Sequence, residues 1–372
     1  QTSAIKLLTN ILKYGTEEMN FNSDEYIFEL TDGIIGDNYP VPDKMLIHIE
    51  KIVHNYLMKE LCQNKEFESN FEVFAVEGGT AAMCYIFDSL VVNNLLKSGD
   101  TIALMTPIFT PYLEIPHLPN YKFNVINIKA NEVDENGNPT WQYTKEELNK
   151  LKNKNIKVLF VVNPNNPASV ALSRDCKDNL ISVVKEHNPE LMIVTDDVYC
   201  TFVDNFHSLV SELPYNTLGV YSYSKYFGVT GWRLGTIFLN EKNIFNDLIK
   251  KLSPDMKNEL NERYKHLCQN PTEISFMDRL VADSRQVALN HTAGLSTPQQ
   301  VQMAFFSLFA LIDKENTYKQ LTKDICKSRK NLLFNGLELE YEKSRHDAAY
   351  YTELNILDIA LMKYGNTFAE HI

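Results

Sequence analysis

The sequence predicts an α/β protein, with a large domain on a mostly parallel, doubly wound sheet and a smaller α+β domain after it. Three observations predict it. Short apolar runs alternate with amphipathic helical stretches from residue 71 onward, this rhythm breaks at 241–290, and helical patterning returns near residue 298. At about 150 residues per domain, the 372 residues fit one large α/β body with an appendage.

Residues 1–65 read as helical and polar, broken by a loop around Gly33, Gly36 and Tyr39-Pro40-Val41-Pro42. Apolar runs then follow at 71–76, 101–105, 123–128, 158–162, 192–195, 218–221 and 236–239. They are short and mostly β-branched or aromatic, which suits strands buried on both faces of a mostly parallel sheet. Helical stretches lie between them at 80–97, closed by Ser98-Gly99-Asp100, and at 174–186. Strand and helix in alternation argue a doubly wound domain. Residues 241–290 are charged and helical (241–252, then 255–269) and read as an insertion. Helices return at 298–313 and at 316–334, the latter closed by Asn335-Gly336, and 350–356 reads as a strand. The expected division is an N-terminal helical segment over 1–65, a large domain over 66–300, and the start of a smaller domain over 301–372.

Composition narrows the function. With 36 Lys+Arg against 48 Asp+Glu, the net charge is −12 and there is no basic stripe, which argues against nucleic acid as a partner. Apolar runs are broken by charge well short of the ~20 residues of a membrane span. The six cysteines make no CxxC pair and read as reduced thiols of an intracellular, cytoplasmic protein, with neither a disulfide frame nor a metal site expected.

The densest chemical signal is Ser222-Tyr223-Ser224-Lys225-Tyr226-Phe227-Gly228-Val229-Thr230-Gly231-Trp232-Arg233-Leu234-Gly235, shortly after a strand. A lysine among small hydroxyl residues, with an arginine eight positions on, can form a Schiff base while its neighbours hold a phosphate. A solvated lysine in a glycine-rich turn is the plain alternative. Upstream, Val194-Thr195-Asp196-Asp197-Val198-Tyr199 puts an aspartate at the C-terminal end of a buried strand, where ligands bind in open α/β sheets. A buried carboxylate needs a cationic partner; a helix cap is the bland reading. Val162-Asn163-Pro164-Asn165-Asn166-Pro167 ends another strand and alone marks only a turn. Val76-Glu77-Gly78-Gly79-Thr80 stands at a strand-to-helix junction, where backbone N–H groups form an anion site or a tight turn is simply capped. Five of the 14 glycines, Gly78, Gly79, Gly228, Gly231 and Gly235, fall in these two phosphate-side segments.

The order Gly-Gly-Thr, Asn-Pro, Asp-x-x-Tyr, Ser-x-Ser-Lys…Arg resembles the fold-type I aminotransferases that use pyridoxal 5'-phosphate, over roughly residues 30–310. The resemblance implies that Lys225 bonds the cofactor and carries the substrate's Cα proton, and that Asp196 pairs with the pyridine nitrogen. It implies that Tyr199 and Asn166 hydrogen-bond the ring's 3-oxygen, and that Gly79, Thr80, Ser222, Ser224 and Arg233 hold the phosphate. Phe109, in Thr106-Pro107-Ile108-Phe109, falls where the family stacks an aromatic on the ring, although a core role suits it equally.

Two stretches, 221–235 and 278–300, together with the insertion over 241–277, resemble one subfamily, the bacterial aspartate 4-decarboxylases. That resemblance implies conversion of L-aspartate to L-alanine and CO2, with aminotransfer to oxaloacetate as a side reaction. It also implies a homodimer or higher homo-oligomer, with Tyr39, Asn290 and Ser296 reaching a neighbouring subunit's site. Two other readings stand beside it: a plain aspartate or broad-specificity aminotransferase, and a non-catalytic sensor domain on the same scaffold. The family clamps the substrate α-carboxylate with a late arginine, yet after Gly294 only Arg329 and Arg345 occur, in contexts that do not match. The chain is therefore expected to be incomplete, lacking a leader and the end of the small domain, and to turn over little aspartate as it stands.

Overall fold

The computed structural model describes residues 2–285, 294–341 and 344–366. Seven strands form one sheet: β1 Phe71–Val76, β2 Thr101–Thr106, β3 Asn124–Lys129, β4 Ile156–Val162, β5 Met192–Asp196, β6 Thr217–Ser222 and β7 Gly235–Asn240. They coincide with the seven apolar runs to within two residues at each end. Their order across the sheet is β1-β7-β6-β5-β4-β2-β3. Every pairing is parallel except those of β7, which runs antiparallel to both β1 and β6.

Strand periodicity explains the layers. Successive side chains point to opposite faces, so β4 sends Val158, Phe160 and Val162 into one core and Leu159 and Val161 into another. The first core is closed by α4 (Gly79–Val92) and by helices Pro254–Tyr264 and Phe276–Ser284 of the charged 241–290 region. The opposite face is covered by helix Arg174–His187 and, toward β1 and β7, by α3 (Ile47–Cys62) and helix Thr297–Ile312. Ahead of α3 stand α1 (Thr2–Glu17) and α2 (Ser23–Ile35), the latter capped by the Asn22 side chain and ended by Gly36 in a left-handed conformation.

The 241–290 helices dock through a buried polar cluster. Asp283 accepts hydrogen bonds from Ser89 Oγ at 2.7 Å and Asn93 Nδ2 at 2.9 Å on or beside α4. It also accepts from Tyr264 Oη at 2.8 Å and Arg263 Nη2 at 2.9 Å. The fully buried Arg279 guanidinium lies 4.8 Å from the Tyr264 ring and donates to the carbonyls of Pro271 and Ile274.

Several local expectations fail. The helix expected over 80–97 ends at Val92, and Gly33, expected in a loop, lies inside α2. Residues 350–356 form no strand: Asp347 makes one isolated bridge to Val170, and the chain then enters helix Ile356–Tyr364, capped by Asn355. Nor does Asn335-Gly336 close its helix, which runs from Thr317 to Leu337 and turns at Glu338 in a left-handed conformation. A glycine inside a helix costs only about 1 kcal/mol, which does not stop the helix.

Candidate active site

The ends of the strands build the site. β1, β4, β5 and β6 all finish at one edge of the sheet, and β7, being antiparallel, begins there. Pairings of Val162 with Asp196, Asp196 with Val220, and Ser222 with Gly235 align these termini in one row. Above the row opens a cavity of about 230 Å³.

Asp196, the last residue of β5, is 6% exposed and lines this cavity. Its Oδ2 accepts from Tyr112 Oη at 2.7 Å and its Oδ1 from the Val198 amide at 3.2 Å. Burial pushes its carboxyl above the ordinary range; these two bonds and the nearby Lys225 charge act in the opposite sense. Asp197 is buried as well, accepting from Ser208 Oγ and from Thr195 Oγ1 at 2.9 Å. Burial, with the Asp196 charge adding to it, pushes its carboxyl up to about 7.

Lys225 lines the same cavity, in a turn that folds back on β6. The Ser222 and Ser224 hydroxyls lie 2.9 Å apart. Thr230 Oγ1 donates to the Ser224 carbonyl at 3.1 Å, and Arg233 Nη1 to the Thr230 carbonyl at 3.0 Å. Arg233 takes a left-handed conformation, φ 55°, and its Nη2 reaches the Glu77 carbonyl at 3.4 Å. Glycine is required here: at Gly78, φ +91°, a Cβ would come 2.5 Å from Arg233 Nη2, and at Gly235 one would meet Gly78 Cα at 2.7 Å. No side chain caps α4. Its first-turn amides lack intrahelical partners, and Gly79 and Thr80 line the cavity, an arrangement suited to an anion.

Asn166 and Tyr199 face the cavity together, Asn166 Nδ2 donating to Tyr199 Oη at 3.2 Å. Phe109 also lines it, edge-on to Tyr112 with centroids 5.3 Å apart. All ten cavity residues singled out in the sequence, Gly79, Thr80, Phe109, Asn166, Asp196, Tyr199, Ser222, Ser224, Lys225 and Arg233, thus converge. Among the described residues, two others do not. Tyr39 is 76% exposed and outside this chain's own cavity. Ser296 is exposed and bonded to Gln299 at the start of helix Thr297–Ile312, and Asn290 lies outside the described residues. Arg329 and Arg345 are exposed and do not line the cavity. Sequence reasoning missed Tyr112, three positions after Phe109, and Tyr351, whose ring packs edge-on to Tyr199 at 5.6 Å.

Among the described residues no cluster suited to a metal occurs, and no helix is long and apolar enough to cross a membrane.

Comparison with known proteins gives the family and the fold. The bifunctional aspartate aminotransferase and L-aspartate beta-decarboxylase of Pseudomonas sp is 45% identical over 366 residues, 98% of this chain and 68% of the relative. An aspartate aminotransferase of Pyrococcus abyssi is 24% identical over 62% of this chain and 57% of its own length. In fold, the chain is similar to Thermus thermophilus aspartate aminotransferase with maleate, TM-score 0.59 at 18% identity, over 86% of this chain and 71% of that one. The aromatic aminotransferase of Pyrococcus horikoshii gives 0.57 at 20% identity, over 85% and 70%. The family model for aminotransferase class I and II matches residues 55–343, from α3 through helix Thr317–Leu337. The chain belongs to the class I and II aminotransferase family.

Proposed function

We propose that the chain carries the pyridoxal-phosphate site of an L-aspartate 4-decarboxylase that forms L-alanine and CO2, with aminotransfer as its side reaction. One observation carries the cofactor reading: a lysine, a buried strand-end carboxylate and an uncapped helix N-terminus all open into one cavity. These donors fit the group. The α4 amides, Thr80, Ser222, Ser224 and Arg233 suit a phosphate, and Asp196 suits a protonated ring nitrogen, because a carboxylate so buried gains from a facing cation. Tyr199 and Asn166 offer hydrogen bonds to the ring's 3-oxygen, and Phe109 offers a ring face.

When bound, the cofactor supplies an electron sink for bonds broken at the substrate's Cα and Cβ. Lys225 Nζ, which lines the cavity, would hold the cofactor's aldehyde carbon and would be placed to take up the substrate's Cα proton. Asp196 keeps the ring nitrogen cationic. The Asn166–Tyr199 pair would offer a donor to the 3-oxygen, and Arg233 would anchor the phosphate. The substrate and the loss of the C4 carboxyl are supported by the Pseudomonas relative, whose likeness extends through the 241–290 region. We also propose that the protein is a homo-oligomer, in which the exposed Tyr39 and Val41 (76% and 77%) meet a second copy.

The test is to incubate the protein with pyridoxal phosphate, L-aspartate and a 2-oxo acid as amino acceptor, and to measure CO2 and alanine against oxaloacetate. Alanine and CO2 in equal amounts support the decarboxylase, whereas oxaloacetate alone would make it a plain aminotransferase. Lys225→Ala should abolish the visible absorbance of the bound cofactor. A full-length protein that stays colourless with added cofactor overturns both.

A further inference from the structure

We infer that Tyr351 is a positioning residue for Tyr199, holding its phenol as a hydrogen-bond donor at the cofactor's 3-oxygen. The inference rests on the cofactor reading above and goes beyond it, because it assigns a role to a residue far along the chain from every site motif.

Tyr199 is only 2% exposed and its ring is enclosed by three neighbours. Tyr350 packs at 5.2 Å with a 46° interplanar angle, and Tyr351 packs at 5.6 Å and 72°. On the third side Asn166 Nδ2 donates to its oxygen. That donation occupies one lone pair and leaves the phenolic hydrogen to be given elsewhere. Of the two flanking tyrosines, only Tyr351 also lines the cavity. Its phenol, which meets that of Tyr199 in a hydrogen bond, therefore bounds the direction in which Tyr199 can aim. Burial, together with the Tyr351 phenol, keeps the Tyr199 hydroxyl well above its ordinary value, so that it remains a donor.

Tyr351 is not placed by the local chain alone. The segment 346–351 is fastened to the loop that carries Asn166. The Ala171 amide donates to the His346 carbonyl at 2.8 Å, and the Ala348 amide to the Ser169 carbonyl at 2.8 Å. Ser169 Oγ then accepts from the amides of both Tyr350 and Tyr351, at 3.1 and 3.2 Å. Ser169 is 1% exposed and left-handed, φ 67°. It stands three residues after Asn166 in a turn closed by Asn165, whose Oδ1 accepts from the Val170 amide at 2.9 Å. Asn166 and Tyr351, which meet Tyr199 from different sides, are thus mounted on one hydrogen-bonded unit. A change in the 346–351 segment must alter the same phenol that Asn166 orients.

The experiment is a double-mutant cycle read by the pH dependence of the visible band of the lysine-bound cofactor. A donor to the ring's 3-oxygen favours the unprotonated form, so Tyr199→Phe should raise the band's pKa. Tyr351→Phe, which deletes only a hydroxyl, should raise it in the same direction by a smaller amount, roughly half a unit to one unit. In the Tyr199→Phe background, Tyr351→Phe should add no shift, because its effect passes through Tyr199. Ser169→Ala should reproduce the Tyr351→Phe shift without adding to it. Equal Tyr351→Phe shifts in both backgrounds, or none in either, overturn the inference while leaving the cofactor reading intact. Absence of the band in the wild type overturns both together.

Discussion

Tyr112 donates its phenolic hydrogen to Asp196 Oδ2 across 2.7 Å, and both groups are buried at the bottom of the cavity. The contact joins the short helix Thr110–Glu114 after β2 to the end of β5, 84 positions apart in sequence. It stabilises the ionised form of a carboxylate whose burial favours the protonated one. Tyr112 therefore favours the charged form of Asp196, which the proposed function pairs with a cationic ring nitrogen.

Tyr112→Phe should weaken that pairing. Hydrogen bonds to charged groups contribute about 1.5–3 kcal/mol, so cofactor affinity is expected to fall by roughly 10- to 100-fold. Equilibrium dialysis against pyridoxal phosphate measures this directly. Unchanged affinity would remove Tyr112 from the account.

Gly78→Ala should damage the phosphate side while leaving the fold. The added Cβ would lie 2.5 Å from Arg233 Nη2 in a backbone conformation, φ +91°, that disfavours a side chain. Arg233 must swing away, and with it goes its bond to the Glu77 carbonyl. The expected outcome is loss of pyridoxal-phosphate binding with retention of far-UV circular dichroism. Pyridoxal without the phosphate should be affected much less.

The buried acidic pair gives the cofactor-free chain a pH signature. Burial holds the Asp197 carboxyl at about 7 and raises that of Asp196 as well. For a carboxyl raised on folding, the folded state keeps a proton that the unfolded chain releases. Its contribution is complete below the unfolded value and is lost as pH rises through the folded one. The melting temperature should therefore decline from about pH 4 to about pH 7 on this account, and Asp197→Asn should flatten the decline. A slope identical in the variant would show that this carboxyl is not responsible.

Asp283→Ala should be among the most destabilising changes outside the cavity. It leaves Arg263, Tyr264, Ser89 and Asn93 without the acceptor they share. Removing one partner from a buried charged cluster costs about 3–5 kcal/mol. Thermal denaturation with and without pyridoxal phosphate measures it, and both forms are expected to melt at lower temperature. A loss below about 1 kcal/mol would mean that the helices over 241–290 are held by apolar packing alone.

Apolar patterning in the amino-acid sequence located the seven strands, and the resemblance to the fold-type I aminotransferases picked out ten residues that line the cavity. The reason is local. A strand buried on both faces must be a short apolar run, and the polar residue ending it, Asp196 or Ser222, faces the open edge of the sheet. Gly78 and Gly79 mark where strand gives way to helix and leaves amides uncapped. Tertiary structure alone decided the rest. Tyr112 reads in sequence as one of 41 aromatics, and becomes a site residue only because β2 and β5 end side by side across β4. Ser169 and Tyr351, 182 positions apart, meet because the 346–351 segment folds back as irregular chain where a strand was expected. Hydrogen bonds between distant segments leave no periodic trace in either one, and only packing of the finished sheet brings their partners together.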